Sequence, residues 1–531
     1  MKRSVIIPAA GLASRMKPLS RGVSKAMIPV NGRPLISYII ETLLKDYPTR
    51  EIVIVENELG DIKEFVNRVY NTSNIKTVVQ EEKLGPLHAI SLGHNALENK
   101  ESGVTVWLGD TICLDEFPFH KDFLAVQSVE DPHRWCLVDQ DGKLYDKPDT
   151  AVPTDLALIG VYNFANRKAF DTSMKVGMKK PTHKGEYQIA ALLENYILSH
   201  KMQLIGTNEW YDCGELNTYY ESKAKLLQRT ARSFNKIKVD TFYNIISKSS
   251  DSPEKQRKIQ DEKEWFLALD PWASQFIPRI LPSEAGELSM SLEPGIALNE
   301  IIVYDNLRTD IWHDIIRKIV NIHHGVFKRP SKISEDRMKE ECFRAYVLKN
   351  VNRLDGMKNT IIASQDKFQM VRDFVEQTGY MLCSDPHPYW SQIMHGDSHL
   401  GNLIYDPHSG SIKFVDPRGS FGNLKGTEGD MRYDMAKLMQ DFYCGYSMIM
   451  ADRYILFGET CSIDWVPGTE NLSAMLEEQL VENFYDVNLL KRLAIVLLIT
   501  AIPFHTDDKN RQEAFWLRGI ELIEALKDGD K

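Results

Sequence analysis

At 531 residues the chain is too long for one ordinary hydrophobic core, so two or three domains are expected. Its 43% hydrophobic and 26% charged residues are those of a globular protein. A formal net charge of −10 argues against the basic surface that nucleic acid or an anionic membrane requires, yet leaves room for local basic pockets that take phosphates.

The opening, Met-Lys-Arg-Ser-Val-Ile-Ile-Pro, holds too short an apolar run for a secretory signal. Up to about residue 230, short β-branched runs alternate with helix-like segments. Val5-Ile6-Ile7, Ile52-Val53-Ile54-Val55, Thr77-Val78-Val79 and Val104-Thr105-Val106-Trp107-Leu108 read as buried strands. Residues 34–45 and 86–97 read as helices, each with a proline in its first turn. This alternation predicts an α/β domain over residues 1–232, with a Rossmann-like, mostly parallel sheet and helices on both faces.

Beyond the polar run at 228–233 the pattern resets. Residues 241–248 read as a strand, and the charged segment 249–264 turns into a helix. Long helical patterns dominate from about 305, interrupted by a strand-rich stretch at 393–415. The second half, 233–531, is therefore expected to be α+β, with a small mixed lobe over about 233–300 and a larger helical lobe over 301–531. The most apolar run, 493–504, is broken by Thr500 and Pro503 and falls short of the ~20 residues of a spanning helix. It reads as a buried helix, with no membrane insertion. Seven cysteines, without close pairs, read as the reduced thiols of a cytoplasmic protein.

The first strand runs into Pro8-Ala9-Ala10-Gly11-Leu12-Ala13-Ser14-Arg15-Met16. Small residues after a strand let backbone N–H groups approach phosphates, and Arg15 adds a charge-assisted donor; a plain tight turn would look the same. Lys25 follows ten residues after Arg15, Gln80 stands five before Gly85, Asp110 ends Trp-Leu-Gly-Asp, and Asp212 lies in Trp-Tyr-Asp-Cys-Gly-Glu. In this order the motifs resemble those of the sugar-1-phosphate nucleotidyltransferases over nearly all of residues 3–225.

The resemblance implies roles residue by residue. Ala10, Gly11, Arg15 and Lys25 would hold the phosphates of an NTP, and Gln80 and Gly85 would contact a pyrimidine base. Asp110 and Asp212 would share a Mg²⁺ ion. Asp146-Lys147-Pro148, Gly160 and the segment beginning Gly185-Glu186 resemble the part that holds the acceptor, so Lys147, Gly160 and Glu186 are the acceptor candidates. Two positions depart from the family pattern: Ala13 replaces the usual second glycine, and Ser24 replaces the proline before the lysine. Uracil, thymine and cytosine all stay open.

In the second half, His395-Gly396-Asp397-Ser398-His399-Leu400-Gly401-Asn402 is followed by Ile412-Lys413-Phe414-Val415-Asp416-Pro417-Arg418. Transfer of phosphate from ATP to a hydroxyl needs a carboxylate that takes the proton, plus an amide oxygen and a second carboxylate for Mg²⁺. Asp397 and Asn402, five residues apart, and Asp416 beyond the next short strand have that spacing. A zinc site from His395, Asp397 and His399 is the competing reading.

The run resembles the aminoglycoside phosphotransferase and choline kinase superfamily. The resemblance implies Asp397 as base, Asn402 and Asp416 as Mg²⁺ ligands, His395 as a brace of the loop and Asp434 as a structural residue. Lys248, on the upstream strand, would grip the ATP phosphates. Glu262 would orient it, with Glu264 the rival for that role, and 288–298 would supply the last small-lobe strand and the hinge.

The two halves together imply a bifunctional enzyme whose kinase phosphorylates a small sugar and whose transferase couples the sugar phosphate to an NTP. A choline, ethanolamine or polyol kinase joined to a cytidylyltransferase is the alternative; a catalytically inert half is another. Small molecules are the expected partners, and the pattern does not separate a monomer from a homo-oligomer.

Overall fold

Val5, Ile6 and Ile7 are wholly buried, as are Ile52, Val53, Ile54 and Val55. Strands that bury both of their faces need cover on both sides of the sheet. The computed structural model describes residues 4–11, 16, 23–46, 51–70, 73–180, 185–230, 236–240, 242–304, 307–331, 333–357, 365–506 and 508–529. Its first unit ends at Leu226 and its second begins at Leu227.

The first unit runs through β1 (Ser4–Pro8), α1 (Leu35–Asp46), β2 (Glu51–Glu56), α2 (Asp61–Val69), β3 (Ile75–Val79), α3 (Pro86–Ala96) and β4 (Val104–Trp107). Then follow β5 (Thr111–Cys113), β6 (Phe123–Ser128), β7 (Cys136–Val138), β8 (Leu144–Asp146), β9 (Leu156–Phe164), α4 (Arg167–Gly177), α5 (Ile189–Ile197), β10 (Gln203–Gly206), β11 (Trp210–Asp212) and α6 (Leu216–Thr230). The nine-stranded sheet has the order β8-β7-β9-β4-β1-β2-β3, with β6 beside β9 and β10 beside β6.

Pairing is parallel across β3, β2, β1 and β4, with Ser4 opposite both Glu51 and Val104. It turns antiparallel at β9, so the sheet is mixed rather than all parallel. Because side chains alternate along a strand, Ile6, Val53, Val55, Val104 and Val106 share one face. There they form one core with Leu87 and Ile90 of α3, Phe170 of α4 and Leu192 and Tyr196 of α5. A Cβ at Gly93 would stand 2.5 Å from Ile6 Cγ2, so α3 packs on β1 closely enough to require a glycine.

The second unit opens with an antiparallel hairpin, β12 (Lys236–Asp240) and β13 (Ile245–Ser249), followed by α7 (Pro253–Leu267). With β14 (Ile280–Leu281) and β15 (Leu288–Ser291) the order is β12-β13-β15-β14. Expectation and structure part here in two places. The strand expected over 241–248 begins at Ile245, because Asp240 accepts from the amides of Phe242 and Tyr243 in the hairpin turn. The run 288–298 is interrupted after Ser291, and β16 (Ile296–Ala297) pairs with β17 (Leu403–Asp406), itself paired with β18 (Ser411–Phe414).

Helices make up most of the rest. Val487–Ile499 buries Leu493, Ala494, Ile495 and Leu498, and ends before Pro503. The 18-residue window from Val487 to Phe504 is apolar enough to cross a membrane by composition, and 56% of it is buried within the protein. As a packed helix, it fills the core of this unit.

Candidate active sites

In the first unit β1 is flanked by β2 and β4, so the crossovers leave it in opposite directions, and the crevice at the strands' carboxyl ends is where such sheets hold ligands. Ala9, Ala10 and Gly11 leave β1 there; Leu108, Gly109 and Asp110 leave β4. Gly109 N–H donates to Pro8 O at 3.0 Å, and a Cβ on Gly109 would lie 2.7 Å from that of Ala9. The two loops therefore touch. Lys25 is held to the first loop by its amide, which donates to Gly11 O, and its Nζ reaches Asp110 Oδ2 at 2.6 Å.

Asp212 reaches the same place from β11, pairing opposite Thr111, while Cys213 N–H donates to Asp110 O at 3.2 Å. Asp212 Oδ1 accepts from Gly214 N–H, and its Oδ2 is buried with no hydrogen-bond partner among the described residues. Burial raises the Asp212 carboxyl above its ordinary range, and the charge of Asp110 adds to the rise; Thr218 and Lys25 oppose it. A half-satisfied carboxylate beside a second one fits Mg²⁺, which takes one or two carboxylates and leaves other positions to substrate oxygens and water. Asp110 and Asp212 would hold it.

A cavity of about 530 Å³ is lined by Lys25, Asp110, Lys147, Gly160, Glu186 and Asp212. A neighbouring cavity of about 600 Å³ is lined by Ala10, Gly11, Gln80 and Gly85 and shares Lys25, Asp110, Lys147 and Glu186. The structure thus gathers every candidate of this half except Arg15, which lies outside the described residues. Gln80 Nε2 donates to Gly85 O at 3.2 Å. Gly85 has φ +92°, and a Cβ there would lie 2.7 Å from Glu186 Cβ. Lys147 has φ +46° and donates its amide to Trp135 O, a strained backbone of the kind that clusters at ligand clamps. Gly160 sits where β9 shifts register, against Leu108 and Thr111.

In the second unit Lys248 Nζ lies 2.8 Å from Glu262 Oε2 and 3.1 Å from Asp416 Oδ1. Burial would depress Lys248, but Asp416 and Glu262 outweigh it and keep the ammonium charged. Burial pushes the Glu262 carboxyl up and Asp416 adds to this, with Lys248 opposing. Glu264, the rival, is exposed and accepts from Gln260. Asp416 has φ +54°.

Asp397 faces Lys437, whose Nζ lies 3.0 Å from Oδ1 and, against burial, holds the carboxylate well below its usual range. Asn402 Nδ2 donates to Asp397 O at 2.8 Å, which leaves its amide oxygen to be presented; Val415 N–H donates back to Asn402 O. His395 braces this loop. Its Nε2–H donates to Val415 O, Nδ1 accepts from Asp397 N–H, and burial brings its pKa down to about 4, so the ring is neutral. Asp434 accepts from the amides of His395 and Gly396, each at 2.8 Å. The Asp416 carboxylate and the Asn402 amide oxygen fit a second Mg²⁺ by the same donor chemistry.

Lys437 was not among the residues expected from sequence. It stands one helical turn past Asp434 in the run Arg432–Phe442, and that spacing was the available signal. Asp61, which accepts from both the amide and the hydroxyl of Ser24, was likewise not foreseen.

Residues 4–229 match the nucleotidyl transferase family. The chain is 28% identical over 219 residues to the bifunctional protein GlmU of Methanococcus maripaludis, covering 39% of this chain and 51% of that protein. It is 28% identical over 247 residues to the low-salt glycan biosynthesis nucleotidyltransferase Agl11 of Haloferax volcanii, covering 42% and 66%. It is also 28% identical over 207 residues to the UTP–glucose-1-phosphate uridylyltransferase of Bacillus subtilis, covering 30% and 70%. The chain thus spans about half the length of the first of these relatives and two thirds or so of the others. Residues 4–229 form a nucleotidyl transferase domain.

Proposed function

We propose that the chain is a bifunctional cytoplasmic enzyme that makes a nucleotide-activated sugar in two steps. In the second unit Asp397 accepts the proton of a sugar hydroxyl; the oxygen attacks the γ-phosphorus of ATP and ADP leaves. Lys248, oriented by Glu262, holds the nucleotide phosphates, and Asn402 and Asp416 would hold a magnesium ion that neutralises them. In the first unit an oxygen of the resulting phosphate ester attacks the α-phosphorus of a pyrimidine NTP, and pyrophosphate leaves. Two polyanions must meet there, so Lys25 offsets their repulsion; Asp110 and Asp212 would hold a magnesium ion that supplies further neutralising charge.

The observation that carries this reading is the meeting of Lys25, Asp110 and Asp212, with one Asp212 oxygen buried and unpartnered among the described residues. The similarity to a uridylyltransferase and to a glycan-biosynthesis nucleotidyltransferase supports a sugar phosphate as acceptor and a surface glycan as destination. The Lys248–Glu262–Asp416 cluster, with Asp397 beside Lys437, supports the kinase step. The test is pyrophosphate release from each of four NTPs with a panel of sugar phosphates. Asp212→Asn is expected to lower the rate about 10³-fold and raise the magnesium requirement. Full activity in that variant would remove the metal role from this pair.

A further inference from the structure

A cavity of about 270 Å³ is lined in part by Lys349, Arg418, Tyr433 and Gly396, the residue before Asp397. Arg418 Nη1 donates to Tyr433 OH at 3.0 Å, and Lys349 Nζ lies 5.5 Å from the Tyr433 ring centroid. Arg353 is close enough to feel Arg418, Tyr433 and Asp397. Lys349, Arg418 and Lys437 all act on the Tyr433 phenol, and of these Lys437 also holds the Asp397 carboxylate.

The nearby acids do not balance them. Glu340 is bound by Arg337 and Arg344, and Glu341 by Arg337 and the amide of Asn423. Among the described residues neither Lys349 nor Arg418 has a carboxylate within ion-pair distance. The crowding of charge shows in the groups themselves. Burial and the neighbouring Arg418, Arg353 and Lys437 bring Lys349 down to about 8. Burial would raise the Tyr433 phenol, but Lys349, Arg418 and Lys437 outweigh it and bring it down to about 7. Lys349 and Arg418 thus face a cavity without a carboxylate partner among the described residues, although Tyr433 and Asp397 favour the charged form of Arg418, and a guanidinium with an ammonium suits carboxylate or phosphate.

We infer that the hydroxyl substrate of the second unit is itself an anion, a small hydroxy acid, sugar acid or phosphorylated alcohol whose carboxylate or phosphate sits on Lys349 and Arg418 beside Asp397. The inference rests on the kinase reading of Asp397 and narrows it. The bound anion neutralises the pocket and places its hydroxyl at the base. A cationic alcohol such as choline or ethanolamine meets like charges on Lys349 and Arg418.

The test uses the full chain with ATP, magnesium and four matched alcohols: glycerol, glycerate, glycerol 3-phosphate and ethanolamine. Glycerate or glycerol 3-phosphate is expected to exceed glycerol in kcat/KM by about 100-fold, with ethanolamine lowest; the better of the two tells carboxylate from phosphate. Lys349→Met and Arg418→Met are expected to raise the KM of the anion at least about tenfold while moving the KM of ATP less than about twofold, and Lys349→Arg to restore most of the loss. Preference for glycerol or ethanolamine overturns the inference and leaves the kinase reading standing. A rise in the KM of ATP instead of the alcohol also overturns it, because the cations would then serve the nucleotide. If none of these and no member of a panel of sugars and sugar acids is phosphorylated, the kinase reading falls. Calorimetric titration with glycerate and with glycerol 3-phosphate then decides the pocket: binding lost in Lys349→Met sustains it, and no binding to the unaltered protein ends it.

Discussion

Ser24 stands immediately before Lys25, at the position where the nucleotidyltransferase resemblance leads one to expect proline, and the structure shows what holds its backbone. Its backbone, at φ −64° and ψ 147°, already has the conformation a proline would impose. It is held there by Asp61, which accepts from Ser24 N–H at 2.7 Å and from its hydroxyl at 2.5 Å, while Asn57 Nδ2 donates to the same hydroxyl at 2.9 Å. Hydrogen bonds to a carboxylate contribute about 1.5–3 kcal/mol each, so Asp61→Ala should cost about 3 kcal/mol, some of it recovered by water. Lys25 is one residue away, and a displacement of its ammonium by about 1 Å costs on the order of 100-fold in rate. Ser24→Pro removes the donor and strands Asp61, so it should also lower stability. Made in the Asp61→Ala background, however, Ser24→Pro strands nothing and pre-sets φ, and part of both losses should return. The assay is a double-mutant cycle read by urea unfolding and by pyrophosphate release. A coupling of at least about 1 kcal/mol is expected. Strict additivity, or an Asp61→Ala protein with unaltered kcat, would refute the idea that this clamp positions Lys25.

Further outcomes follow from single sites. Gly85→Ala places a methyl 2.7 Å from Glu186 Cβ and 2.9 Å from the Tyr187 backbone, at a φ of +92°. It should destabilise by about 1–3 kcal/mol and raise the KM of the NTP, measured by unfolding and initial rates. Acid should weaken the second unit, because burial holds His395 down to about 4 and His323 to about 3, against an ordinary 6.5. Both are neutral in the folded chain and take up protons when unfolded, so their contribution is whole above pH 6.5 and lost as pH falls toward 4. At pH 5 each lost contribution amounts to about 2 kcal/mol. Urea unfolding at pH 7 and pH 5 should show a smaller acid loss in His323→Leu than in the unaltered protein; equal losses would contradict the burial argument.

How legible the chain is depends on what each element answers to. The β-branched runs of β1, β2 and β4 are wholly buried on both faces, so their periodicity is their environment, and they appear within a residue of where the pattern puts them. The strand Lys236–Asp240 was not expected, because its alternation Lys-Ile-Lys-Val-Asp is that of an exposed edge with weak apolar content. The stretch 393–415 read as strand-rich, yet its first part is a loop shaped by Asp434, a side-chain tie from 38 and 39 residues away that no local pattern records. Lys25, Asp110 and Asp212 were legible as motifs, whereas Asp61 was not, since its task follows from one substituted position. Glu262 and Glu264 were equivalent as letters in a charged run; only the packing of α7 makes one buried and leaves the other in solvent. Lys349, Arg418 and Tyr433 come from separate parts of the chain, and their shared cavity exists only in three dimensions.

The central claim is that two magnesium-dependent sites act in sequence through an intermediate that leaves one and enters the other. The direct measurement mixes two single variants, Asp110→Ala and Asp397→Ala, with ATP, an NTP and the alcohol, and reads the nucleotide product by mass spectrometry. Neither variant alone should form it, the first accumulating the phosphate ester and the second consuming ester only when supplied; together they should make it. A mixture that stays inactive, although each variant retains its own half-reaction, would contradict an exchangeable intermediate. Loss of both half-reactions in either variant would contradict two sites.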